Sequence, residues 1–214
     1  MMSTIVGSLS NILPIIPIAT AFTTYRWHTK ELRIMLWYCL VSLLAGLLGT
    51  MLAHMGINNH FVSHLFAPVQ FSMFVYTLSR WQPQAVVRKI FVGAIFVFVI
   101  FWALGLFMLE DLRSFSTITR PVAAVLLVLS SAVTLVQTVR TGDLPLSCTP
   151  AFWISSGILI YFAGMSVLLS MSNMLLTVSI ETLRLIWTPI QGTLHFTLNI
   201  LFAIGFLCSR PKST

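Results

Sequence analysis

The chain has 214 residues, of which 57% are hydrophobic and only 8% are charged, and its formal net charge is +7. A soluble domain carries about 25% charged residues. This chain therefore has too few polar side chains to cover a water-facing surface, which excludes soluble globular, disordered, collagenous and disulfide-scaffold proteins and indicates an integral membrane protein.

Seven apolar stretches are close to the length of about 20 residues with which a helix crosses a bilayer. In chain order, we predict spans at Ile5–Thr23, Ile34–His54, Phe61–Ser79, Ile90–Leu109, Pro121–Val139, Ala151–Met171 and Ile186–Cys208. The connectors between them are short. We therefore expect an all-α polytopic membrane protein, a seven-transmembrane-helix bundle that forms a single domain over residues 1–214.

The basic residues are distributed unevenly between the two faces of this predicted topology. The N-terminus and the connectors after spans 2, 4 and 6 hold only Arg113 and Arg120, which follow span 4, and Arg184, which follows span 6. The other nine follow spans 1, 3, 5 and 7, and they are Arg26, Lys30, Arg33, Arg80, Arg88, Lys89, Arg140, Arg210 and Lys212. Because Lys and Arg are retained in the cytoplasm, we expect the N-terminus outside, the C-terminus inside, and a multi-pass location in the bacterial inner (cytoplasmic) membrane. Such loops attract anionic lipid, and we expect no nucleic-acid partner.

Prolines and glycines predict where helices bend or approach one another. Pro14 and Pro17 in span 1 and Pro68 in span 3 lack a backbone donor, so we expect kinks there that leave carbonyls facing neighbouring helices or a cavity. Pro121 is expected in the first turn of span 5, where the missing donor costs nothing. Small residues that allow close helix contacts are Gly46, Gly49, Gly157 and Gly164.

A histidine cluster surrounds the tight connector between spans 2 and 3. His54, Asn58, Asn59, His60 and His64 occur within eleven residues. His60 and His64 are four residues apart, which places them on one helical face at a spacing that can hold zinc. The candidates for further ligands are His54, His195, Glu110 and Asp111. The alternatives are that no cofactor binds, that the imidazoles bond to water, headgroups or helix ends, or that they sense external acidity.

A polar stripe is predicted on span 7. Trp187, Gln191, His195 and Asn199 follow one another at spacings of four and therefore share one helical face. The stripe either lines a ligand cavity or forms hydrogen bonds to span 6, where the candidate partners are Ser155, Ser156, Tyr161 and Ser166.

The sequence lacks the signatures of several functional classes. Span 7 contains no lysine for a retinal Schiff base, and no charged residue lies in the middle of any predicted span, which argues against a proton pump or an ion-coupled carrier. No nucleotide-binding loop, nucleophile elbow or zinc-protease motif is present. An enzymatic activity would depend on the histidines alone, so we favour a protein that is not an enzyme.

Three stretches carry a family resemblance. They are NNHFVSHLFAPVQF from Asn58 to Phe71, FWISSGILIYF from Phe152 to Phe162, and LHFTLNILFAIGF from Leu194 to Phe206. They resemble the seven-helix membrane modules of Bacteroidetes-type bacteria, which occur alone or as input domains of seven-transmembrane sensor histidine kinases. The resemblance covers about a fifth of the chain directly.

The resemblance implies a sensory or regulatory membrane domain in which ligand binding shifts helix positions. Two departures affect this expectation. Six residues follow Cys208, which leads us to expect a separate cytoplasmic or membrane signalling partner, reached through the basic loops. The related modules often have a carboxylate where this chain has Gln70, so a charged ligand contact is not carried over to that position.

The sequence therefore predicts a sensor-like module for a small or lipidic ligand bound between spans 3, 6 and 7. The predicted ligand-binding residues are Gln70, Tyr161, Trp187, Gln191, His195 and Asn199. One alternative is a membrane-embedded, metal-dependent lipid hydrolase with His60, His64 and His195 as zinc ligands and Glu110 as a base. The other is a structural subunit of a membrane complex.

Overall fold

All regular secondary structure in the described residues is helical. A computed structural model describes residues 12–108, 112, 118–141, 145–178 and 180–210, and for residues 171–186 it describes the backbone only. Its helices are α1 Ile15–Thr24, α2 Lys30–His54, α3 His60–Arg80, α4 Ala85–Met108, α5 Thr119–Thr141, α6 Pro150–Val178 and α7 Ile180–Leu207. Short 3-10 turns at Tyr25–Trp27 and Leu146–Cys148 precede α2 and α6.

Six of these helices are long and apolar enough to cross a membrane. Helices α2 to α7 have 21 to 29 residues, and at a rise of about 1.5 Å per residue each one covers the hydrocarbon core of a bilayer. In α6 and α7 the apolar stretches are Pro150–Ser170 and Trp187–Leu207. The protein is a multi-pass helical membrane protein. Part of the first predicted span lies outside the described residues, and α1, which has ten residues, covers the last nine of it.

The helices pack in a ring with one helix outside it. Each of α1, α2 and α3 contacts the next, α3 contacts α5, and the ring closes through α5, α6, α7 and α1. Helix α4 packs mainly on the outer side of α3 and is the least buried of the six long helices. Its exposed side chains are large and apolar, as in Phe96 and Phe107, which suits contact with lipid.

Aromatic side chains fill the middle of the ring. The Tyr38 ring of α2 lies 4.2 Å from the Phe74 ring of α3, and Phe74 contacts Phe162 of α6 at 5.8 Å and Phe202 of α7 at 6.0 Å between centroids. The last two contacts are edge-on, an arrangement that the ring quadrupoles favour. Four helices are thus joined by one buried aromatic cluster, which closes the middle of the bundle.

Helices α6 and α7 approach one another at glycines. A Cβ atom added to Gly164 would lie 2.6 Å from the Leu194 side chain, and one added to Gly205 would lie 2.8 Å from Ile154. At Gly157 the nearest atoms of Leu201 and Phe202 would be at 3.3 Å. The prediction of close contacts at Gly157 and Gly164 is confirmed. Because a Cβ atom at Gly164 or Gly205 would force the neighbouring side chain to shift, these glycines influence how closely the two helices pack.

Prolines lie at the starts of α1 and α5 and inside α3 and α7. A turn at Leu13 and Pro14 separates Ile12 from α1, and Pro121 lies in the first turn of α5. Pro68 lies inside α3 and cannot donate to the carbonyl of His64, four residues earlier. The Trp102 indole of α4 donates to that carbonyl instead, at 3.0 Å. The proline thereby creates the acceptor that helps to hold α4 on the ring.

Candidate functional site

The two ends of the bundle differ in chemistry. At one end α2 and α4 begin and α1, α3, α5 and α7 end, and there lie Lys30, Arg80, Arg140 and Arg210. We refer to it as the basic end. At the other end α2 finishes at His54 and α3 begins at His60, and we refer to it as the histidine end.

A small cavity lies between α3, α5 and α6 in the half of the bundle nearer the histidine end. Its volume is about 20 Å³, enough for about one water molecule. Its walls are mainly apolar, and the lining residues are Ala67, Gln70 and Phe71 of α3, Arg120, Ala123, Ala124 and Leu127 of α5, and Tyr161, Phe162, Met165 and Leu169 of α6. Three polar side chains, Gln70, Arg120 and Tyr161, therefore meet inside an apolar enclosure.

A chain of polar contacts extends from the cavity to the other helices. The Gln70 amide donates a 2.8 Å hydrogen bond to the Tyr38 hydroxyl of α2. The Tyr161 ring also contacts the His195 ring of α7, with 5.9 Å between centroids. Polar side chains from five helices thus meet around the cavity, as polar groups at lipid depth do when they turn toward the bundle interior.

Arg120 supplies the positive charge of this site. It is the second residue of α5, it is half-buried, and it lies close enough to Tyr161 to interact with it electrostatically. Among the described residues that line the cavity, it is the only charged one. A guanidinium at the edge of an apolar enclosure attracts an anionic or strongly hydrogen-bonding group, because carboxylate and phosphate oxygens match its N–H donors.

The predicted ligand-binding residues divide into two groups. Gln70 and Tyr161 line the cavity, and His195 contacts Tyr161. Trp187, Gln191 and Asn199 lie on the same face of α7, where the Trp187 indole donates to the Gln191 side chain and Asn199 donates to the His195 carbonyl at 2.7 Å. These two bonds run along α7 and fix the orientation of the polar stripe.

The histidines of the candidate metal site lie in different surroundings. His60 is exposed at the first residue of α3, whereas the His64 side chain is buried. Within the part of the chain that the structure describes, no three side chains of His, Cys, Asp or Glu come together as a metal site needs. Glu110 and Asp111, two of the candidate ligands, lie outside the described residues.

The site residues predicted from the sequence do not include Tyr38 or Arg120. Hydropathy places Arg120 in a connector because it precedes the apolar run of span 5, but α5 begins one residue before it. The signal that could have identified Arg120 is that polar residues often begin a helix before its apolar run. Tyr38 has no neighbouring polar pattern along the chain, and only the packing of α2 against α3 brings its hydroxyl to Gln70.

Comparison with known proteins identifies no relative of this chain. No protein-family model, no curated protein and no solved structure matches this chain.

Proposed function

We propose that this protein is a sensory or regulatory membrane protein that binds a small or lipidic ligand in the cavity between α3, α5 and α6. The observation that carries the proposal is the meeting of Gln70, Arg120 and Tyr161 inside an apolar enclosure. Ligand sites have this character, because apolar walls give affinity and a few placed polar groups give orientation.

The charge of the site favours an anionic amphipath. Arg120 brings one positive charge to the described lining residues. Its guanidinium has five N–H donors, so a carboxylate or phosphate would share it with the contact that Arg120 already makes, while an aliphatic tail would contact residues such as Leu127 and Leu169. Gln70 and Tyr161 would orient the head group.

Ligand entry requires helix movement, and this movement would transmit the signal. A space of about 20 Å³ accepts water but no larger molecule. A ligand would bind a state in which α3 and α5 are further apart, and it would raise the population of that state in proportion to its preference for it. The displacement would reach the basic ends of these helices, where a cytoplasmic or membrane signalling partner would detect it.

The proposal includes a finer topology. The protein would span the bacterial inner membrane seven times, with α1 completing the first span, the N-terminus outside and the basic end in the cytoplasm. The supporting observation is the excess of Lys and Arg at the basic end. Labelling of single cysteines with an impermeant maleimide in intact cells tests the orientation. Labelling from the exterior at position 214 and not at position 58 would contradict it.

Dodecanoate is a suitable probe for the anionic site. We expect it to raise the thermal unfolding temperature of the purified protein in detergent more than uncharged dodecanol does. Arg120→Gln should weaken dodecanoate binding about tenfold or more, because a hydrogen bond to a charged group contributes about 1.5–3 kcal/mol. Arg140→Gln is the matched control, since it removes an exposed arginine from the other end of the same helix.

Two outcomes would contradict the site. One is equal binding of dodecanoate by Arg120→Gln and by the unchanged protein. The other is equal binding of dodecanoate and dodecanol, which would show that the head group is not recognised. Substitution Tyr161→Phe should give a smaller loss, because it removes one hydroxyl and keeps the wall.

The proposed sensor needs no cofactor, and this distinguishes it from the lipid hydrolase alternative. A hydrolase using His60, His64 and His195 would hold zinc in a fixed ratio to protein. Metal analysis of the purified protein separates the two, because stoichiometric zinc that is lost in His64→Ala would favour the hydrolase and overturn the sensor.

A further inference from the structure

A groove at the basic end lies on the outer surface between α2 and α3. It has a volume of about 390 Å³ and is lined by Lys30, Arg33, Ile34, Trp37, Tyr76 and Arg80. Helix α2 begins at Lys30 and α3 ends at Arg80. The cations therefore lie where two membrane-crossing helices meet the headgroup region, whichever face of the membrane this is.

The groove carries a surplus of positive charge. Arg80 pairs with Glu31, with 3.2 Å between Nε and Oε1. That bond uses one of the five N–H donors of a guanidinium. Lys30 and Arg33 are exposed, so three cations face one neighbouring carboxylate. An anion in the groove would meet donors from both helices.

Aromatic side chains lie one helical turn deeper than the cations. Trp37 is four residues after Arg33 and is 63% exposed, and Tyr76 is four residues before Arg80 and is 44% exposed. Four residues advance a helix by about 6 Å. Amphipathic rings at this depth contact the glycerol region of a lipid.

The groove continues as an apolar track toward the middle of the membrane. On α2 the exposed positions that share the face of Trp37 include Leu44 and Leu48, seven and eleven residues further on. On α3 the matching positions are Val69 and Leu65, seven and eleven residues before Tyr76. These spacings keep each series on one helical face, so the two series border a path that begins below the cations.

We propose that this groove is a binding site for an anionic phospholipid, separate from the cavity near the histidine end. The phosphate lies among Lys30, Arg33 and Arg80, and the acyl chains follow the track between α2 and α3. The apolar continuation identifies the occupant as a lipid, because a free phosphate would use the cations and leave the track unused. Basic pockets between membrane helices recognise acidic headgroups in this way.

Delipidated protein in dodecyl maltoside tests the proposal. Native mass spectrometry measures the affinity for phosphatidylglycerol, for phosphatidylcholine and for sn-glycerol 3-phosphate. We expect a preference for phosphatidylglycerol that falls about 30-fold in Lys30→Gln/Arg33→Gln, at about 1 kcal/mol for each cation. The matched control, Arg88→Gln/Lys89→Gln, removes one arginine and one lysine that are exposed at the same end, and we expect a change below about threefold.

The outcomes distinguish a lipid site from a general surface attraction and from a site for free anions. Equal loss in the two double variants would overturn the proposal, because the attraction would then be spread over the basic surface. Full displacement of the lipid by millimolar sn-glycerol 3-phosphate would also overturn it, since the acyl chains would then contribute nothing. Dodecanoate binding at Arg120 should be unchanged in Lys30→Gln/Arg33→Gln. The lipid site and the ligand cavity are therefore tested independently.

Discussion

Two sides of the ring are held together in different ways. Helices α6 and α7 meet through glycines, with the Leu194 and Ile154 side chains filling the space that a Cβ atom would need at Gly164 and Gly205. Helix α3 shares the aromatic cluster through Phe74, but its contact with α5 is less extensive, and single polar groups also attach it to α4 and α5. Trp102 of α4 donates to the His64 carbonyl at 3.0 Å, and Gln82, just beyond the end of α3, donates to the Thr134 hydroxyl of α5 at 2.7 Å.

The difference indicates which side can open. Close packing at glycines gains many small dispersion contacts, and all of them weaken when the helices separate. A single hydrogen bond contributes about 1 kcal/mol net and can be replaced by a bond to a ligand or to water. We therefore expect α6 and α7 to form the fixed frame and α3 to move relative to α5, with the cavity opening between them.

The largest expected effect comes from filling the glycine contact. Gly164→Leu should destabilise the protein by about 3 kcal/mol, because the new side chain must displace Leu194 from a packed interface. Gly93→Leu is the control, since a Cβ atom at Gly93 has no neighbour within 4 Å. Denaturant unfolding in detergent measures both. Equal stability of the two variants would show that the α6–α7 contact is not the fixed frame.

A smaller effect is expected at the bond between Trp102 and the His64 carbonyl. Trp102→Phe should cost about 2 kcal/mol, because it leaves the His64 carbonyl, to which Pro68 cannot donate, without its indole donor. In a Pro68→Ala background the restored backbone N–H can bond to that carbonyl, so the same substitution should cost less. A double-mutant cycle measures this difference. An identical cost in both backgrounds would mean that Trp102 acts through packing alone.

Much of this arrangement could be predicted from hydropathy. The predicted spans Ile34–His54 and Phe61–Ser79 lie within α2 and α3. The helices begin earlier than the apolar runs because polar residues such as Lys30 and Arg88 continue a helix into the headgroup region. Hydropathy detects the lipid-crossing part of a helix and does not detect its polar ends, which is why it places Arg120 in a connector.

The site could be predicted only in part. Helical spacing correctly places Trp187 and Gln191 on one face of α7, where they bond to each other. It could not show that Gln70 meets Tyr38, because that contact joins residues 32 positions apart and depends on how α2 packs against α3. Spacing along one helix predicts a face, and only the packing of several helices determines what that face contacts.

The smallest expected effect is a pH dependence at His28, where the connector between α1 and α2 contacts α7. His28 lies between α1 and α2, where its Nε2 is 2.8 Å from the Thr24 hydroxyl and its ring stacks on Phe206 of α7 at 5.2 Å. Burial of the imidazole, and secondarily the charge of Arg33, lower its pKa from the usual 6.5. Its buried Nδ1 has no hydrogen-bond partner within the described part of the chain.

Protonation of His28 should therefore weaken the contact of its ring with α7 and lower the stability of the protein. Below about pH 6.5 the unfolded chain takes up a proton that the folded protein binds more weakly, so stability should fall as the pH is lowered through 6.5 toward the depressed pKa of the folded state. Thermal unfolding in detergent between about pH 7.5 and about pH 5 measures the slope. The slope should decrease in His28→Gln and persist in His54→Gln, which changes an exposed histidine. A slope that instead disappears in His54→Gln would place the acid sensitivity at the histidine end. The contact between His28 and α7 would then be insensitive to pH.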